Sequence, residues 1–167
     1  LAATPWAELD GLDRADPVWR IPASRMKLRL ANKDDPSMDH LVPLAPQAMA
    51  VIAALRGLTG RGRYVFPNGR SPLRPMSENA MGYLLNRAGY HQRHVPHGWR
   101  ATFSTCMNER RPEWTAIIDL MLAHTPDNAV EAAYNRARHM AIRRQIAEEW
   151  ATLLVGDGAL PPGLGGR

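Results

Sequence analysis

Four prolines, Pro46, Pro96, Pro112 and Pro126, each open a stretch that reads as helical. Proline is tolerated in the first turn of a helix, where its missing N–H would have had no acceptor, but not in the interior. These positions therefore fix where helices start and bound how long each can run. They predict helices over residues 46–58, 96–110, 112–123 and, behind the Thr125 cap, 125–138. Ser77 is suited to cap a further helix that stops before Gly89, and a last one covers 139–154, burying Ile146, Trp150 and Leu153. The 112–123 run carries Trp114, Ile117, Ile118, Met121 and Leu122 on one stripe, the pattern of a helix facing a core.

The first 44 residues read differently. Short apolar runs at 6–9, 18–21 and 40–44 are separated by turn signals, Asp10-Gly11 and Asp16-Pro17 among them. They predict a small antiparallel sheet, with a basic hairpin around Arg25-Met26-Lys27-Leu28-Arg29 projecting from it. A Gly/Pro/Arg-rich loop covers 60–75. Together the elements make one α+β unit over 1–155, mainly helical with a small N-terminal sheet, followed by a flexible Gly/Pro-rich tail at 156–167.

The formal charge of +5 favours polyanionic partners, nucleic acid first. No apolar run is long enough to span a bilayer, so a membrane-spanning protein is excluded. One cysteine, Cys106, rules out a disulfide framework within the chain and fits a reducing cytoplasm. The first residues show no signal peptide and no initiator Met, which reads as a chain beginning inside a larger protein.

Candidate chemistry starts with His97-Gly98-Trp99-Arg100. Three residues apart at a helix start, His97 and Arg100 share a face and could meet one ligand, beside backbone N–H groups that favour an anion. His124 lies at a predicted helix end. Tyr134 lies on a stripe with Val130, Ala133 and Ala137 that packing alone would explain. His91, His94 and His97 recur every third residue, which raises a zinc site, but Pro96 breaks the repeat and no HExxH pattern is present.

Taken in order, Lys27, His97, Arg100, His124 and Tyr134 resemble the lysine, histidine-x-x-arginine, histidine, tyrosine series of the tyrosine recombinases. The surrounding segments strengthen the resemblance. Residues 21–27 (IPASRMK), 97–105 (HGWRATFST), 122–124 (LAH) and 132–137 (AAYNRA) are similar to those of prophage and satellite-phage integrases. The resemblance covers residues 6–154. It implies a DNA breaking-rejoining fold and site-specific recombination of duplex DNA at attachment sites, as in phage integration and excision. Tyr134 would attack a phosphodiester to give a 3′-phosphotyrosine and a free 5′-hydroxyl. Arg100 would hold the non-bridging oxygens, with His97 and His124 hydrogen-bonding the phosphate and Lys27 as general acid. Arg25 and Arg29 would touch DNA phosphates. No metal or cofactor is implied, since protein cations stand where a metal ion could. The partners implied are double-stranded DNA and further copies of the protein, as a tetramer on DNA in a bacterial cytoplasm.

Two departures stand out. The family carries another arginine just before the first strand, where this chain has only Leu1-Ala2-Ala3, so the chain alone is expected to be weak or inactive. Residues 30–38 look inserted, which makes Lys33 a rival to Lys27. The alternative function is a non-catalytic DNA-binding remnant of an integrase, acting as an accessory or regulatory module.

Overall fold

The computed structural model describes residues 1–28, 30–123 and 139–156. Three short strands, β1 (Leu9–Asp10), β2 (Val18–Ile21) and β3 (His40–Pro43), form an antiparallel sheet in the order β1-β2-β3. Trp19 faces Leu9 on one side and Val42 on the other. The helices are α1 (Pro46–Thr59), α2 (Ala80–Leu85), α3 (Gly98–Arg110), α4 (Thr115–Met121) and α5 (Met140–Val155). The α+β class expected from the sequence is what the chain adopts, with the sheet at its N-terminal end. The helix expected at 125–138 and the tail at 157–167 lie outside the described residues.

The core sits between α3, α4 and α5. Met107, Ile118, Leu122 and Ile146 are buried, and Phe103, Trp114, Trp150 and Ile142 pack around them. Phe103 and Trp150 meet edge to face with ring centroids 5.4 Å apart, a favoured aromatic arrangement. The stripe read from 112–123 is therefore the core face of α4. Arg143 of α5 is also buried, at 1% exposure, and its guanidinium donates to the Leu41 carbonyl of β3. A buried guanidinium is tolerated only with such acceptors. It ties the last helix to the sheet.

Several boundaries differ from expectation. The first predicted strand is mostly a 3-10 turn, Trp6–Glu8, because Trp6 is held sideways. Its N–H donates to the Arg63 carbonyl and its indole to Thr59. The basic hairpin is not a hairpin. Residues 22–39 leave β2 and return to β3 through 3-10 turns at Ala23–Arg25, Leu30–Asn32 and Pro36–Met38. Side-chain oxygens close these turns: Asp39 accepts from the Ala23 N–H and Asp35 from the Ser37 N–H. Asp and Ser form such local bonds readily, in competition with strand pairing. Ser77 caps a turn, its hydroxyl meeting the Asn79 N–H at 3.3 Å, and α2 begins only at Ala80. Beyond α2, Asn86–Tyr90 forms a widened turn ended by Gly89 at φ 87°, a stop where glycine was expected to supply one. Pro112–Trp114 forms a 3-10 turn ahead of α4, so that helix starts three residues late.

Candidate functional site

The motif His97-Gly98-Trp99-Arg100 forms the N-terminal turn of α3. His97 is the residue before the helix and is exposed, and Trp99 is 46% exposed. Glycine at 98 leaves room for a neighbouring imidazole. A Cβ there would lie 2.9 Å from Cε1 of His94, whose ring covers the helix start and meets the Trp99 ring edge to face at 4.6 Å. The sequence reading considered His94 only as a metal ligand, and its packing role was missed. Among the described residues no group of three His, Cys, Asp or Glu side chains is gathered for a metal ion.

Arg100 is half-buried, and its Nη2 donates to the Leu122 carbonyl. This one bond brings α3 to the end of α4, where the chain turns sharply. The Leu122 and Ala123 N–H groups return to Ile118, Asp119 and Leu120, and Ala123 adopts a left-handed φ of 53°. The next residue is His124. In the sequence His124 follows Leu122 by two residues. His124 and Tyr134 themselves lie outside the described residues, as does Arg29. Arg100 also lines a cleft of about 710 Å³ between α1, α3 and α5, where it is the one charged side chain among the described lining residues. That cleft is apolar and suits no phosphate.

Lys27 is exposed, just after the 3-10 turn Ala23–Arg25, and makes no hydrogen bond or ion pair with the described residues. Lys33 is half-buried in the same excursion. Arg25 is turned back onto the domain, where its guanidinium pairs with both carboxylate oxygens of Glu8. Glu8 is 7% exposed and also accepts from the Trp19 indole at 3.0 Å. A carboxylate so buried needs these donors. Glu8 is a residue the sequence reading passed over. The signal was there, an acid inside the apolar run Trp6-Ala7-Glu8-Leu9 that only a nearby cation could make buriable. The Glu8–Arg25 pair fixes the start of the segment that presents Lys27.

Comparison with known proteins finds homologues among the integrases. The chain is 35% identical over 150 residues to a prophage integrase of Escherichia coli K12 (IntA), covering 89% of this chain and 34% of that protein. It is 31% identical over 156 residues to the integrase of Shigella phage Sf6, covering 92% of this chain and 37% of the relative. With the integrase of enterobacteria phage P4 it shares 30% identity over 156 residues, 89% of this chain and 36% of that one. Over about nine-tenths of its length the chain is similar to phage and prophage integrases. It spans about a third of the length of these curated relatives. No family model and no solved structure matches. Among the described residues, no helix is long and apolar enough to cross a membrane.

Proposed function

We propose that this chain is the catalytic domain of a tyrosine recombinase that cuts and rejoins duplex DNA at attachment sites, integrating or excising a phage-like element. The observation that carries the reading is the Arg100 to Leu122 hydrogen bond, which sets the guanidinium beside the turn leading into His124 while His97 stands exposed on the same helix start. A guanidinium and imidazoles, were they to converge, would suit a phosphodiester passing through a five-coordinate, doubly charged state. A planar guanidinium binds two phosphate oxygens at once.

In the proposed step the Tyr134 hydroxyl oxygen attacks phosphorus, the P–O5′ bond breaks, and a 3′-phosphotyrosine forms. A phenol with ordinary pKa near 10 must lose its proton as it attacks, and His97 or His124 is the candidate to take or share it. The leaving 5′-oxygen gains a proton, for which Lys27 is the candidate. Attack by the 5′-hydroxyl of another strand reverses the step, so bond energy is retained and no external energy source is consumed. Arg25, paired with Glu8, holds the start of the Lys27 segment, and Arg25 and Arg29 are candidates to touch DNA phosphates. The protein acts as a tetramer spanning two duplexes.

The test is covalent trapping. The complete gene product, given a nicked attachment-site duplex, forms a denaturant-resistant DNA adduct that is absent in Tyr134→Phe. A gel shift of normal affinity with no adduct in the unaltered protein overturns the catalytic reading and leaves a non-catalytic DNA-binding module.

A further inference from the structure

The positive charge of the chain is not spread along it. Residues 1–39 and 109–167 each carry one more acid than base, whereas residues 40–108 carry eight arginines against a single acid, Glu78. Two of the eight are engaged, Arg56 with Asp13 and Arg100 with the Leu122 carbonyl. The other six, Arg61, Arg63, Arg70, Arg74, Arg87 and Arg93, are exposed and make no ion pair with the described residues. Elsewhere the arginines at 20, 25, 110, 111 and 144 all have carboxylate partners. A surface that serves solubility alone mixes both signs. This one does not.

Four of the six stand on one stiff element. The chain from 66 to 76 doubles back on itself, with the Met76 N–H donating to Phe66, a bridge between Pro67 and Pro75, and the Asn68 N–H donating to Arg74. Its tip is closed by the Asn68 side chain, which accepts from the N–H groups of Arg70 at 2.9 Å and Ser71 at 3.3 Å. The base is clamped to the start of the chain. Trp6 donates to Arg63, Val65 donates to Thr4, and both Thr4 and Val65 are 2% exposed. Prolines at 67, 72 and 75 limit the loop further. Arg70 and Arg74 project from the tip and Arg61 and Arg63 from the base, with Arg63 stacked over Tyr64 at 5.4 Å.

We propose that the hairpin carrying Arg61, Arg63, Arg70 and Arg74 is a contact surface for the phosphate backbone of duplex DNA, separate from the site around Arg100. The inference rests on the reading of the chain as DNA-binding, and it adds where the duplex lies. A rigid loop of unpaired guanidiniums binds backbone without reading bases, so it sets register and affinity while leaving sequence preference to other parts.

The experiment measures binding of the complete gene product to a duplex carrying the attachment site and to a scrambled duplex over a range of salt concentrations. Three proteins are compared, with folding checked by thermal unfolding: the unaltered one, a variant with arginines 61, 63, 70 and 74 all changed to glutamine, and a control with Arg110→Gln and Arg111→Gln. Releasing counterions from each contacted phosphate contributes about 0.9 to the slope of log affinity against log salt. The quadruple variant is expected to lose about 0.9 of slope per contact removed, up to roughly 3.6, equally on both duplexes. The control is expected to keep the slope. An unchanged slope in a folded quadruple variant overturns the inference, and so does an equal loss in the control. Adduct formation at Tyr134 with an unchanged slope sinks this surface and leaves the catalytic reading intact. A slope loss without any adduct does the opposite. If the unaltered protein binds neither duplex, both fall.

Discussion

The two ends of α3 are built for different purposes. At its C-terminal end Met107 is fully buried against Ile118 and Ile146, and the following Arg110 and Arg111 bond to Glu149 of α5 at 3.0 and 2.8 Å. At its N-terminal end His97 and Trp99 face solvent, and Arg100 donates to a backbone carbonyl, its one side-chain hydrogen bond among the described residues. One end is closed by the fold and the other is left open by it. A helix of 13 residues thus joins the core to the exposed turn, and the core's rigidity is what sets the position of the guanidinium.

If that division is right, substitutions at the two ends separate stability from chemistry. The largest effect is expected at the closed end. Met107→Ala leaves a cavity beneath α4 and lowers unfolding free energy by about 2–5 kcal/mol, read by urea denaturation, while DNA cleavage per folded molecule stays near normal. A matching fall in cleavage per folded molecule breaks the comparison. At the open end, on the proposed mechanism, Arg100→Gln removes charge that the transition state would need. Cleavage of a nicked duplex by the complete gene product falls roughly 100- to 1000-fold with only a small change in melting temperature. A large drop in melting temperature instead makes Arg100 a structural tie between α3 and α4.

The smallest effect sharpens the same contrast through pH. The hydrogen bond from Arg111 holds the Glu149 carboxyl below its ordinary value of 4.5, with Arg110 adding to it and partial burial opposing. A carboxyl depressed in the folded state stabilises above its unfolded value, and the contribution is lost as pH falls through the folded value. Glu149→Gln is expected to lower the melting temperature by about 2 °C or less at pH 7. That difference shrinks as pH is taken well below 4.5, and cleavage is unaffected. A difference that grows in acid contradicts the assignment.

The helical part was legible because its signals are local. The prolines at 46 and 112 mark the region where helices begin, Gly89 stops one, and the stripe from Trp114 to Leu122 faces the core it was expected to face. The 22–39 excursion was not legible, because an apolar and basic run reads as a strand until side chains such as Asp35 and Asp39 are seen to bond backbone N–H groups instead. Of the site, the placement of His97 and Arg100 at a helix start could be read from spacing, whereas the Arg100 bond to Leu122 joins residues 22 apart and has no local signature. Arg25 shows the same limit. Its partner Glu8 is 17 residues away, and charge alone did not distinguish an arginine facing solvent from one turned inward.

The anchoring of Arg143 to Leu41 bears on how this molecule can be dissected. A protein cut short before Met140 would not be a trimmed version of the same body. It would leave the carbonyl of a strand nearly a hundred residues earlier facing a vacated hole. The sheet and the final helix therefore have to be inherited, exchanged between chimaeras or deleted together.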